Sequence, residues 1–152
     1  MFKIINVKIF IIYKKSNLKR LNEKYIMSNI LAAFNDHFSE FLNDVQSVFP
    51  NDPDILSAKN ALTMIRKANP KMIVKIWKTF IADKYRTQIE SNDITFFIDK
   101  DYSSDVSTAS GSDKIMESID RLREPIKNMG PDNQAKVMKY IQNLTKLSDM
   151  VE

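Results

Sequence analysis

The chain has no cysteine, which removes disulfides, thiol nucleophiles and Cys-ligated zinc together. It has only two glycines, Gly111 and Gly130, so no Gly-rich loop can cradle a phosphate, and Walker-type and dinucleotide-type sites are excluded. A single histidine, His37, leaves any metal site without a second imidazole. No apolar run approaches the roughly 20 residues that a membrane-spanning helix needs. No strand-period segment of any length and no hairpin dipeptide occur, so sheets are improbable. What is present is an apolar content of 43% and a charged content of 28%, which suits one packed domain of 152 residues better than a disordered polymer. The fold class read from the sequence is all-α, a compact bundle of about five helices plus a short docking turn.

Charge divides the chain at Met27. Residues 1–26 carry seven Lys or Arg and one Glu, a net of +6, whereas the remainder carries 16 basic and 18 acidic side chains, a net of −2. The overall +4 therefore describes the prefix, and a high pI is no sign of a nucleic-acid-binding domain here. Rich in Ile, Lys, Asn, Phe and Tyr and without a helical stripe, residues 1–26 read as a basic disordered or spurious extension. A signal or anchor at Ile4–Tyr13 is the rival reading, but Lys8 interrupts the stretch and no small-residue cleavage site follows. Lys14, Lys15, Lys19 and Arg20 could touch anionic lipid or nucleic acid if translated. Residues 27–152 read as a single helical domain.

In that domain Ser28 is a candidate cap for a helix whose Ile30, Leu31, Phe34, Phe38, Phe41, Leu42, Val45 and Phe49 recur every three or four residues. Its other face, with Asn35, Asp36, Ser39, Glu40, Asn43 and Asp44, is acidic and expected to be exposed. Asp52-Pro53 starts a second helix with Ile55, Leu56, Ala58, Ala61, Leu62 and Ile65 inward. Asn69-Pro70 starts a third, with Ile73, Ile76, Trp77, Phe80 and Ile81 on one side. Ile94, Phe96, Phe97 and Ile98 suggest a helical turn docking on the core, with a short strand as the other option. Residues 99–112 read as a mobile acidic Ser-rich loop, open to phosphorylation. Ser112 can cap a helix through Ile115, Ile119, Leu122, Ile126 and Met129, which Pro125 should kink. Gly130-Pro131-Asp132 leads to a last helix striped by Val137, Ile141 and Leu144, with Met138 and Leu147 beside them, making a C-terminal αα-hairpin.

No catalytic residue, metal ligand or cofactor is expected. His37 reads as a surface histidine. Asp99, Asp101, Ser103, Asp105 and Ser107 imitate the alternating oxygens of a calcium loop, but Ser104 stands at the turn glycine and Ser110 at the bidentate glutamate. The mixed charges of Glu117, Asp120, Arg121, Arg123 and Glu124 read as a solvated helix face. Partner contacts fall instead on Lys71, Lys75 and Lys78, which share one face, on Arg86 if that helix continues, and on the aromatics Phe96, Phe97 and Tyr102. A protein partner is the leading expectation. Nucleic-acid binding by the basic face of helix 70–83 is the alternative, without a stacking platform, since Trp77 lies on the apolar side. The heptad-like spacing of the terminal hairpin leaves a homo-oligomer open.

Three strings carry a resemblance: Lys67-Ala68-Asn69-Pro70-Lys71-Met72-Ile73-Val74-Lys75-Ile76-Trp77-Lys78, then Phe96-Phe97-Ile98-Asp99-Lys100-Asp101-Tyr102, then Met138-Lys139-Tyr140-Ile141-Gln142-Asn143-Leu144. Together they resemble a small helical protein family of nucleocytoplasmic large DNA viruses, over about residues 27–150. The resemblance implies provenance, a large DNA virus protein made in an infected cell and found in the host cytoplasm at the viral factory or in the virion; the leading expectation for its role, from the residues, is a non-enzymatic interaction or structural protein, a virion component or accessory factor. It implies no cofactor or catalytic residue.

Overall fold

A computed structural model describes residues 16–99 and 112–151. Its elements are α1 Ser16–Val48, α2 Pro53–Ala68, α3 Met72–Trp77, a widened turn Lys78–Ala82, α4 Arg86–Glu90, α5 Thr95–Ile98, α6 Ser112–Lys127 and α7 Pro131–Asp149. No strand occurs among the described residues, and the expected all-α class holds. The Ile94–Ile98 patch is the helical turn α5, with Asp93 Oδ1 accepting the Thr95 N–H at 3.0 Å.

The first helix is longer than its apolar stripe. Ser28 lies in mid-helix and caps nothing, and residues 16–26 of the basic prefix are helical rather than disordered. They contain no Pro or Gly, and Leu, Lys, Arg and Glu are good helix formers, so propensity alone carries the helix backwards. The core does not follow it. Buried residues of α1 begin at Leu31, with Met27 and Ile30 half-buried against them, while Leu21 and Tyr25 are 60% and 55% exposed. Residues 1–15 lie outside the described residues.

Asp52 caps α2 as its position before Pro53 predicts, accepting from the Asp54 and Ile55 N–H groups at 2.8 and 3.2 Å. Leu56, expected inward, is exposed, whereas Ile55, Ala58 and Leu62 are buried. Asn69-Pro70 forms a turn rather than the start of a helix: Asn69 Oδ1 accepts the Lys71 N–H at 3.2 Å and α3 begins at Met72. After Trp77 the helix widens, the Asp83 N–H reaching back five residues to the Lys78 carbonyl at 2.9 Å. The third helix of the sequence reading is therefore broken into α3, this turn and α4.

The main packings join α1 to α7 and α2 to α6, and α3 sits where all four meet. Its Trp77 is the centre of the core, with Phe34 and Phe38 edge-on to the indole at 6.4 and 5.7 Å between ring centroids. The indole N–H donates to Thr145 Oγ1 at 3.2 Å, so the one polar atom of this side chain is satisfied inside the core. Thr145 and Ser148 are buried polar members of α7 that continue the Val137, Ile141, Leu144 stripe. Pro125 lies inside the last turn of α6, and Pro131 opens α7 after a three-residue link in which Gln134 Nε2 donates to the Ile126 and Lys127 carbonyls, each at 3.2 Å.

Two substitutions test this centre by urea unfolding followed through helical circular dichroism. Trp77→Ala is expected to cost about 3–5 kcal/mol by opening a cavity. Thr145→Val, which keeps the volume but strands the indole N–H, is expected to cost about 1–3 kcal/mol.

Candidate interaction site

The residues chosen from the sequence do not form one surface. Lys71 and Lys75 are exposed and make no ion pair among the described residues. Lys78 is engaged within the chain, its Nζ donating to the Val151 carbonyl at 3.0 Å. Arg86 belongs to a separate helix and is committed to Asp149, through two bonds of 2.8 Å, and to Asp83 at 3.1 Å. Those hydrogen bonds raise the guanidinium pKa further, and the Asp149 carboxyl is held below its ordinary range by Arg86. Both partners are more than a third exposed, so the pair contributes at most about 1 kcal/mol.

Phe96 and Phe97, expected at a contact surface, are 7% and 1% exposed. Phe96 stacks on Tyr85 at 5.1 Å between centroids; the two phenylalanines dock into the core, with Ile94 and Ile98 half-buried beside them. Tyr102 and the rest of the 100–111 segment lie outside the described residues. Asp99, the first oxygen of the calcium-like spacing, is 3.9 Å from Lys127 Nζ.

A different site forms along the seam of α1 and α7. On α1, His37, Glu40, Phe41 and Asp44 follow one another at helical spacing; on α7, Lys136, Lys139, Tyr140 and Asn143 do the same. The His37 ring lies 4.8 Å from the Tyr140 ring, and Phe41 lies 5.4 Å from it on the other side. His37 is thus no surface residue: its side chain is 22% exposed, Nδ1 stands 3.6 Å from Glu40 Oε2, and Nε2 is buried without a hydrogen-bond partner. The Tyr140 hydroxyl donates to Asp44. Burial first, then the Asp44 hydrogen bond and the negative charges of Asp44 and Glu40, push this phenol up to about 12.

These residues floor an open groove of about 530 Å³, lined by His37, Asp44, Ala135, Lys136, Lys139, Tyr140 and Asn143. It continues past Asp44, Lys136 and Tyr140 into a smaller hollow of about 170 Å³ whose walls include Val45, Val48, Met129 and Val137. Asp44 lies on the α1 side, with Glu40 nearby against His37, Lys136 and Lys139 lie on the α7 side, and the floor between them is aromatic. Among the described residues no group of three or more His, Asp or Glu side chains could hold a metal ion. None of the described helices is long and apolar enough to cross a membrane. The groove thus sets a hydrogen-bonded tyrosine and a half-buried histidine among carboxylates and lysines.

Tyr140 gives a direct readout. Its pKa is raised above the ordinary 10.0, so between that value and about 12 the unfolded chain has lost a proton that the folded chain keeps. Stability therefore falls as pH rises through this window. Absorbance titration of the tyrosines is expected to include a step near 12 that Tyr140→Phe removes. Comparison with family models, with curated proteins and with solved structures returns no match for the chain.

Proposed function

We propose that the protein is a non-enzymatic interaction protein, a virion component or accessory factor of a large DNA virus, and that it engages a protein partner through the α1–α7 groove. The observation that carries this reading is the groove's make-up: an aromatic floor with Asp44 on one side and Lys136 and Lys139 on the other. A peptide segment carrying both charge signs and an apolar or aromatic side chain matches it. The viral assignment rests on the resemblance of the three strings, the last of which supplies Lys139, Tyr140 and Asn143 to the groove. The host cytoplasm at the viral factory, or the virion, is the corresponding location.

Nucleic-acid binding by helix 70–83 has less support. Lys78 and Arg86 are spent inside the protein, leaving Lys71 and Lys75. Two phosphate contacts would give a log–log salt slope of only about −2.

Amine-reactive cross-linking in infected cells, read by mass spectrometry, tests the proposal. Links from Lys136 and Lys139 to one and the same foreign protein are expected, together with loss of that protein on Lys136→Glu/Lys139→Glu but not on Lys71→Glu/Lys75→Glu. Retention by the α7 variant, or loss only with the α3 variant, would overturn it.

A further inference from the structure

Where α1 outruns the core, over about three turns, it is apolar on one side and basic around it. Leu21 and Tyr25 are 60% and 55% exposed, and Lys19, Arg20 and Lys24 are exposed with them. At about 100° per residue, Leu21 and Tyr25 share a side, with Lys24 and Arg20 about 80° and 120° round from their midpoint and Lys19 about 140° round the other way. Glu23, the one acidic residue of this stretch, falls about 180° from that midpoint. Met27 and Ile30, which pack on the core, lie on Glu23's side. The leucine and tyrosine therefore point away from the bundle.

The fold brings further positive charge to this end. Ser28, one turn beyond Lys24, lines the same hollow as Lys67 and Pro70, and the Asn35 amide fixes the Pro70 carbonyl to α1 at 2.9 Å. Exposed Lys67 and Lys71, either side of that turn, thus join Lys19, Arg20 and Lys24, and none of the five makes an ion pair among the described residues. Arg66, Arg86, Arg121 and Arg123, by contrast, are each bonded to a carboxylate. The far end of the bundle has the opposite sign: Asp52 and Asp54 begin α2, and Asp132 begins α7 beside the hollow where Val48 meets Met129.

We infer that this end docks on the surface of an anionic phospholipid membrane, the start of α1 lying in the headgroup layer with Leu21 and Tyr25 inward and Glu23 toward water. Charge complementarity selects an anionic surface, and the charge of the far end turns the rest of the domain away from it. The apolar pair selects lipid among anionic surfaces. Phosphates of a nucleic acid would engage the cations and leave Leu21 without a role. At a bilayer every group is used: the leucine enters the acyl boundary, the tyrosine ring sits at headgroup level with its hydroxyl wet, and the long basic side chains reach the phosphates. No described helix is long and apolar enough to cross a membrane, so the attachment is peripheral and needs both the apolar and the ionic contribution. The α1–α7 groove opens farther along α1 and stays free, and neither reading depends on the other.

The full chain is expected to sediment with vesicles of phosphatidylcholine containing about one third phosphatidylserine, and to stay in solution with phosphatidylcholine alone. Binding should weaken about fivefold for each of Lys19, Arg20 and Lys24 exchanged for Gln, and on the order of tenfold for Leu21→Asp. These positions are exposed, so helical circular dichroism should not change. The cysteine-free chain allows a depth test: Tyr25→Cys and Met64→Cys each take a single polarity-sensitive fluorophore. On the mixed vesicles the label at 25 should shift to the blue, and the label at Met64, 71% exposed on α2, should not. No binding, equal binding to both kinds of vesicle, a silent label at 25, or binding that survives Leu21→Asp would each overturn the inference. Retention of a short DNA duplex in place of vesicles, lost with the three Gln exchanges but not with Leu21→Asp, would overturn it in favour of nucleic acid.

Discussion

Burial of one indole organises this molecule. Trp77 stands on the short helix that touches all four long ones, meets Phe34 and Phe38 of α1 edge-on, and hands its N–H to Thr145 of α7. The two N-terminal helices and the two C-terminal helices are each anchored to it or to its neighbours. The aromatic series continues outward from there along α1, Phe38 to Phe41 and Phe41 to Tyr140, until it surfaces in the groove. The floor of the candidate site is thus the outer end of the core, and its rigidity is borrowed from the tryptophan behind it.

Polar groups inside the bundle settle the details that apolar packing leaves open. Asn35 holds the turn at Pro70 against α1, and Gln142 of α7 holds the end of α4 through the Ile89 carbonyl at 3.0 Å and Asn92 Oδ1 at 2.7 Å. Asn92 needs that support, as its φ of 60° lies in the left-handed region. Lys78 and Arg86 clasp the end of α7 from the adjoining segment. These side chains look from the sequence like surface charge available to partners, yet their work is internal.

The helical stripes were legible because burial of α1, α2, α6 and α7 follows the 3.6-residue period, and Asp52-Pro53 and Gly130-Pro131 punctuate it plainly. The start of α1 was misjudged because stripe and helix end at different places: the core stops near Met27 but propensity does not. The break after Trp77 was hidden, since no residue in Lys78–Ala82 marks a widened turn. Phe96 and Phe97 looked like contact residues because a five-residue apolar patch shows no period from which an inner face could be told. The α1–α7 site could not be seen at all. His37 and Tyr140 are brought together only by the fold, and Asn35 reads as exposed until Pro70 is found beside it.

The widened turn at Lys78–Ala82 works as a phase shifter. It places one more residue in a turn than a regular helix would, which rotates everything after it by about 100° relative to Trp77. Ile81 would face inward in a regular helix too, but Ala82, which would lie far round from Trp77, joins it in the core. Shortening the segment by one residue would restore the regular turn and change which side chains after Trp77 reach the core, so chain length there is constrained as a core side chain is.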